Sequence, residues 1–142
     1  MLVFEIEVLS DAQILEIDLE KIDEYIDSKS LTDVVETASG LNYVITEAGT
    51  GDNAKEGDDI ALKYKGYRLD GTVFDETTTG TFDYTIGELG LIDGWEEAVF
   101  LLNEGAQGTF ILPSSIGYGK SGYQAIDPNE VLIFELELVS IN

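Results

Sequence analysis

YKGYRLDGTVFD at 64–75, FDYTIG at 82–87 and LIDGW at 91–95 decide how this chain folds. Asp70-Gly71 sits where a hairpin turn joins two strands, with Ile60, Leu62 and Tyr64 alternating before it and Phe82, Tyr84 and Ile86 after it. Alternation at a period of two puts one face of each run into a core. Within the same stretch, aromatic and branched apolar residues surround a single acid, Asp75, expected to be buried. No nucleophile, base or metal-ligand cluster stands near it. A site of this make-up acts by shape and desolvation rather than by proton transfer.

Outward from that stretch the chain stays β-rich. Leu41, Tyr43 and Ile45 alternate, and Gly49, Gly51, Gly57, Gly80, Gly87 and Gly90 punctuate the segments. One helix interrupts, with Trp95, Val99 and Leu102 on one face and Asn103-Glu104-Gly105 at its end. A strand follows at Phe110 to Leu112, then a long loop from Pro113 to Asn129, then a closing strand from Val131 to Val139. These elements predict an α+β fold, a twisted antiparallel sheet wrapped over one short helix, occupying 41–142. A pocket is expected between helix and sheet.

The residues before 41 read as an appendage. Leu2 to Ser10 aligns without gaps on Leu132 to Ser140, and every difference exchanges one aliphatic side chain for another. Residues 1–10 are therefore expected to be a strand like the closing strand of a preceding domain of the same kind. Residues 11–40 form a helical segment. Ser10-Asp11-Ala12-Gln13 has the capping-box pattern, and Leu15, Leu19, Ile22 and Ile26 follow on one face. Ser30-Leu31-Thr32-Asp33 predicts a second, shorter helix reaching about Glu36. The strand at 1–10 or the helix at 11–27 could mediate self-association, and the same helix could instead pack on the following domain.

Composition narrows the chemistry. The 142 residues hold 29 acids and 7 bases, for a net charge of −22, so a phosphate backbone or anionic membrane repels the chain and nucleic acid is not an expected partner. With no Cys and no His, thiol chemistry, His-based triads and zinc sites are excluded. No run of about 18 apolar residues exists, and the N-terminus lacks the basic flank and cleavage site of a signal peptide, so the chain reads as soluble. Asp52 to Asp59 superficially suggests a calcium loop. Ala54 and Lys55 break its ligand alternation and no bidentate glutamate follows, so it reads as a turn and no metal is expected.

Trp95, Phe74, Phe82, Tyr64, Tyr118 and Phe134 form a dense aromatic set. Each alone is an ordinary core residue; together, among glycine-rich turns, they suggest a groove for an apolar ligand oriented by tyrosine hydroxyls.

Four motifs in order then carry a resemblance: GTVFD at 71–75, IDGWEE at 92–97, PSSIGYG at 113–119 and LIFELEL at 132–138. From about Gly49 to Asn142 the chain resembles an FKBP-type peptidyl-prolyl cis-trans isomerase domain. The resemblance implies a pocket floored by Trp95 and walled by Tyr64, Phe74, Phe82, Leu91, Ile92 and Phe134. It places the family's acid on Asp75, its ligand-bonding tyrosine on Tyr118 and its backbone donor on Ile92. Tyr84 stands where the family usually has phenylalanine. The resemblance makes Tyr84 a further substrate contact, and the loop carrying Tyr123 and Ile126, which overhangs the pocket in the family, adds those two. Asp127 replaces the first proline of a pair usual in that loop.

The implied activity is rotation about X–Pro bonds in polypeptides, with no cofactor, and macrolides of the FKBP class as implied inhibitors. The alternative is a proline-peptide binding or chaperone module with little turnover. Helical N-terminal segments and tandem domains also resemble those of exported bacterial members, which implies a periplasmic or cell-envelope location.

Overall fold

The computed structural model describes residues 9–124 and 126–142. Of the strand expected over 1–10, positions 1–8 lie outside the described residues, and Leu9 and Ser10 are not in a strand, Ser10 capping the helix that follows. In chain order the elements are α1 (Asp11–Ser28), β1 (Val35–Glu36), β2 (Asn42–Glu47), β3 (Thr50–Asn53), β4 (Asp59–Arg68), β5 (Val73–Glu76), β6 (Phe82–Thr85), α2 (Asp93–Val99), β7 (Asn103–Glu104), β8 (Gln107–Leu112), a 3₁₀ turn (Ser114–Ile116) and β9 (Leu132–Ile141). Seven strands form one antiparallel sheet in the order β1-β2-β8-β9-β4-β5, with β6 also paired to β4; β3 and β7 form a separate pair. This is the α+β architecture expected from the alternation.

Long strands β4 and β9 are the spine. Register pairs Tyr64 with Leu136 and Gly66 with Phe134 along them. On one face Leu62, Phe110, Leu112, Leu132, Phe134, Leu136 and Leu138 pack against Trp95, Ala98 and Val99 of α2. The helix lies very close to the sheet at Gly94, where an added Cβ would fall 2.3 Å from Leu112 Cδ2. On the other face Ile111, Val131 and Ile133 pack against Ile22 of α1, with Leu19, Tyr25 and Ile26 around them. Fully burying a side chain such as Ile22 stabilises by about 1.5–3 kcal/mol, enough to hold a helix that is marginal alone.

Ser10 caps α1 in a full capping box: its Oγ accepts from the Gln13 N–H at 3.2 Å, and its own N–H donates to Gln13 Oε1 at 2.8 Å. The apolar stripe that self-association through 11–27 would need is occupied by the sheet, although Ile17 remains 38% exposed beside it.

Three local expectations are corrected. The short helix from Ser30 to Glu36 does not form: Ser30 and Asp33 take φ of 54° and 60°, and Val35–Glu36 becomes β1 against β2. A ready strand edge supplies bonds that a single helical turn cannot match. Helix α2 stops at Val99, short of the predicted end, because Asn103 and Glu104 pair with β3 and the Gly105 N–H donates to Leu138 O at 2.7 Å. The Asp52 to Asp59 segment is part strand, β3, and part turn, closed where the Lys55 N–H donates to Asp58 Oδ2 at 3.0 Å.

Candidate active site

The hairpin at 68–72 sets the site's position. Arg68 N–H donates to Thr72 O, Gly71 N–H to Arg68 O, and only Gly71 of the turn pair has positive φ, 91°. The register slips between Gly66 and Tyr67, a bulge that accompanies such turns. Beyond it, β5 carries Phe74 and Asp75 past the inner face of β4. Strand β6, paired to the other half of β4, brings Phe82 and Tyr84 alongside. Between these strands and the start of α2 lies a cavity of about 470 Å³.

Its floor is Trp95, 6% exposed. Tyr64 meets the indole edge to face with ring centres 5.0 Å apart, and Phe134 does so at 5.3 Å. Phe74 stands across Phe134 at 5.5 Å, and Phe82 lies 6.0 Å from Tyr64. Such T-shaped contacts lock ring orientation. Leu91, Ile92, Tyr118 and Tyr123 complete the wall, and Gly90 joins them. In the sequence Gly90 is visible only as punctuation between segments, and its place directly before the LIDGW motif is the signal for its role in the wall.

Polar groups are few. Ile92 is the extended residue before α2, and its carbonyl accepts from the Trp95 and Glu96 N–H groups. Neither the Ile92 N–H nor the Tyr118 hydroxyl has a protein partner among the described residues. The Tyr64 hydroxyl donates to Asp75 Oδ2 at 2.8 Å. Asp75 is not buried, contrary to expectation: it is exposed at the cavity mouth, because β5 is an edge strand there. The Tyr64 phenol is pushed up to about 12, first by burial and then by its bond to Asp75 and that acid's charge. Burial, then Tyr123 and Asp75, raises Tyr118 as well.

Two sequence-predicted contacts stand outside the wall. Tyr84 lies behind the floor, where its hydroxyl accepts the indole N–H. Ile126 is buried in the core at 6% exposure; its backbone exchanges two hydrogen bonds with Tyr123, at 3.0 and 2.7 Å, which tighten the loop beneath the Tyr123 ring. Tyr123 itself is 55% exposed and stacks on Tyr118 with ring centres 5.2 Å apart.

The pattern that fits residues 51–139 is that of the FKBP-type peptidyl-prolyl cis-trans isomerases. The chain belongs to that family. Among its relatives, the probable FKBP-type isomerase FkpA of Neisseria meningitidis is 41% identical over 106 residues, 74% of this chain and 39% of that protein. Outer membrane protein MIP of Legionella longbeachae is 37% identical over 115 residues, 80% of this chain and 49% of that protein. The chain thus spans less than half the length of either relative. Among solved structures, FkpA from Escherichia coli superimposes with a TM-score of 0.77 at 26% identity, covering 94% of this chain and 74% of that one. A Pseudomonas syringae peptidyl-prolyl cis-trans isomerase gives the same score and identity, covering 97% and 99%. All sequence-predicted wall residues of this FKBP-type domain except Tyr84 and Ile126 therefore meet in one cavity.

Proposed function

We propose that the chain accelerates cis–trans rotation about X–Pro bonds in polypeptides and so assists their folding. The observation that carries this reading is the pairing of an aromatic cavity with two donors left without protein partners among the described residues, the Ile92 N–H and the Tyr118 hydroxyl. Unaided rotation crosses a barrier of about 18–20 kcal/mol and takes tens to hundreds of seconds. Twisting the amide removes its resonance, so the twisted state is less charge-separated than the planar one. An apolar cavity therefore favours the twisted state relative to the planar one. Tyr118 and Ile92 can hold carbonyls of the flanking peptide while the proline ring sits over Trp95. No bond breaks and no proton moves, so a chain without His or Cys is fully equipped.

In this reading Tyr64, Phe74, Phe82, Leu91 and Phe134 exclude water, and Asp75 fixes the Tyr64 hydroxyl. The same cavity is proposed to accept macrolide inhibitors of the FKBP class. The unit that folds is proposed to be 41–142 with α1 docked on its outer face. A cell-envelope setting is proposed from the FkpA and outer membrane MIP relatives; among the described residues no helix is long and apolar enough to cross a membrane.

The deciding experiment is a protease-coupled assay of a tetrapeptide with one X–Pro bond. Catalysis proportional to chain concentration is expected. A rate equal to the uncatalysed control, with Trp95 fluorescence still responding to the peptide, overturns the enzymatic reading in favour of a binding module.

A further inference from the structure

Asp18 is an acid in the middle of an apolar stripe, one helical turn from Ile14 and from Ile22, and it is 1% exposed. Burying a carboxylate is costly without partners, and Asp18 takes part in no ion pair among the described residues. Its compensation comes from the far end of the chain. Oδ2 accepts from the Ser114 N–H at 2.9 Å and from Ser114 Oγ at 2.5 Å.

Ser114 is the first residue of the 3₁₀ turn that leads to Tyr118. Its carbonyl accepts from the Gly117 N–H at 3.0 Å and the Gly119 N–H at 2.9 Å, the two residues that flank Tyr118. One residue, Ser114, is thus tied to α1 through its N–H and hydroxyl and to both neighbours of Tyr118 through its carbonyl. Nearby, Lys120 Nζ lies 2.6 Å from Asp11 Oδ1 at the start of the same helix. That pair is largely exposed and contributes little by itself.

We propose that Asp18 is a positioning residue for the Tyr118 hydroxyl, so that α1, which lies outside the matched span of 51–139, is part of the apparatus of the site. The inference rests on the isomerase reading above. Tyr118 belongs to no helix or strand, and a donor must be held to within about 0.5 Å of its working place. Ser114 gives that hold only if its own N–H and hydroxyl are fixed, and Asp18 fixes both.

The test is a double-mutant cycle on the full chain with Asp18→Ala, Tyr118→Phe and the pair. Asp18→Ala is expected to lower kcat/KM about fivefold to tenfold, and by less than about twofold once Tyr118 is already phenylalanine, because both changes then remove one interaction. Asp18→Asn, which keeps an acceptor oxygen, is expected to restore most of the rate. Equal losses in both backgrounds, or a wild-type rate for Asp18→Ala, overturns the proposal. If Asp18→Ala does not fold at the assay temperature, Ser114→Ala removes only the hydroxyl donor and enters the same cycle with the same expected coupling. If the unaltered chain proves inactive, the isomerase reading fails separately. The cycle is then read in peptide affinity from Trp95 fluorescence, where additivity again overturns the role of Asp18.

Discussion

The indole Nε1–H of Trp95 donates to the Tyr84 hydroxyl at 3.0 Å, so the ring that floors the cavity is held from behind by a residue that does not line it. Tyr84 in turn stacks on Phe82 with ring centres 5.1 Å apart. The hydroxyl by which Tyr84 differs from the phenylalanine usual in the family therefore has an occupation. Replacing it by phenylalanine keeps the stack and strands the indole N–H. A buried donor left without a partner costs about 1–3 kcal/mol. Tyr84→Phe is expected to lower the urea midpoint and change Trp95 fluorescence while leaving kcat/KM within about threefold, since the wall is intact. An unchanged midpoint would show that water satisfies the indole instead.

A second prediction concerns the bond between Tyr64 and Asp75. It lies at the mouth, and its loss is expected to change stability by less than about 0.5 kcal/mol. Its effect on rate is the measure of its role. If Asp75 acts by fixing the Tyr64 hydroxyl, Tyr64→Phe and Asp75→Ala each lower kcat/KM by roughly threefold to tenfold and the double variant is no worse than either. Multiplied losses in the double variant would mean that Asp75 acts on substrate independently of Tyr64.

What could be read from the chain alone follows from where each feature's partners lie. The Asp70-Gly71 turn and the Ser10 cap are decided within a few residues, and both were legible. The cavity wall was legible because its motifs are strong, although its members come from β4, β5, β6, α2, β9 and the loops that carry Leu91, Ile92, Tyr118 and Tyr123. Strand β1 was not: Val35 and Glu36 extend only because Tyr43 and Asn42 offer an edge. Nor was the exposure of Asp75, which depends on β5 being an edge strand. The side of Ile126 was not legible, because it depends on the backbone bridge between Tyr123 and Ile126, which leaves Ile126 buried and Tyr123 exposed. Asp18 left one visible trace, a carboxylate inside an apolar stripe, but its partner Ser114 lies 96 residues away.

The third prediction is a pH dependence with a definite sign. Tyr64 is pushed up to about 12, chiefly by burial. Burial also leads the upward shifts of Tyr84, Tyr118 and Tyr67. A phenol that holds its proton more tightly when folded contributes stability that is fully present below its unfolded value, about 10, and is lost as pH rises through the folded value. The urea midpoint is therefore expected to fall between about pH 10 and pH 12, and Tyr64→Phe is expected to make that fall shallower. Because these phenols stay protonated and the chain has no His or Cys, kcat/KM should be flat from about pH 6 to pH 9. A bell-shaped profile in that range would require a titrating group the site does not contain.

The fourth prediction uses a close contact behind the wall. Gly66 lies in β4 opposite Asp75 on one side and Phe134 on the other. A Cβ there would fall 2.6 Å from Phe74 Cζ and 2.8 Å from Phe134 Cε1. Both rings line the cavity, so Gly66→Ala is expected to push at least one of them into it. Overpacking of this kind costs about 1–3 kcal/mol, and a chain of this size can remain folded through it. The isomerase reading then expects KM to rise more than kcat falls, because the cavity is narrowed while the Tyr118 and Ile92 donors are untouched. A binding isotherm followed through Trp95, which touches Phe134 directly, should weaken by the same factor as KM rises. Unchanged affinity together with a reduced urea midpoint would mean that the rings yield outward, and that the wall at Phe74 and Phe134 does not set the size of the ligand.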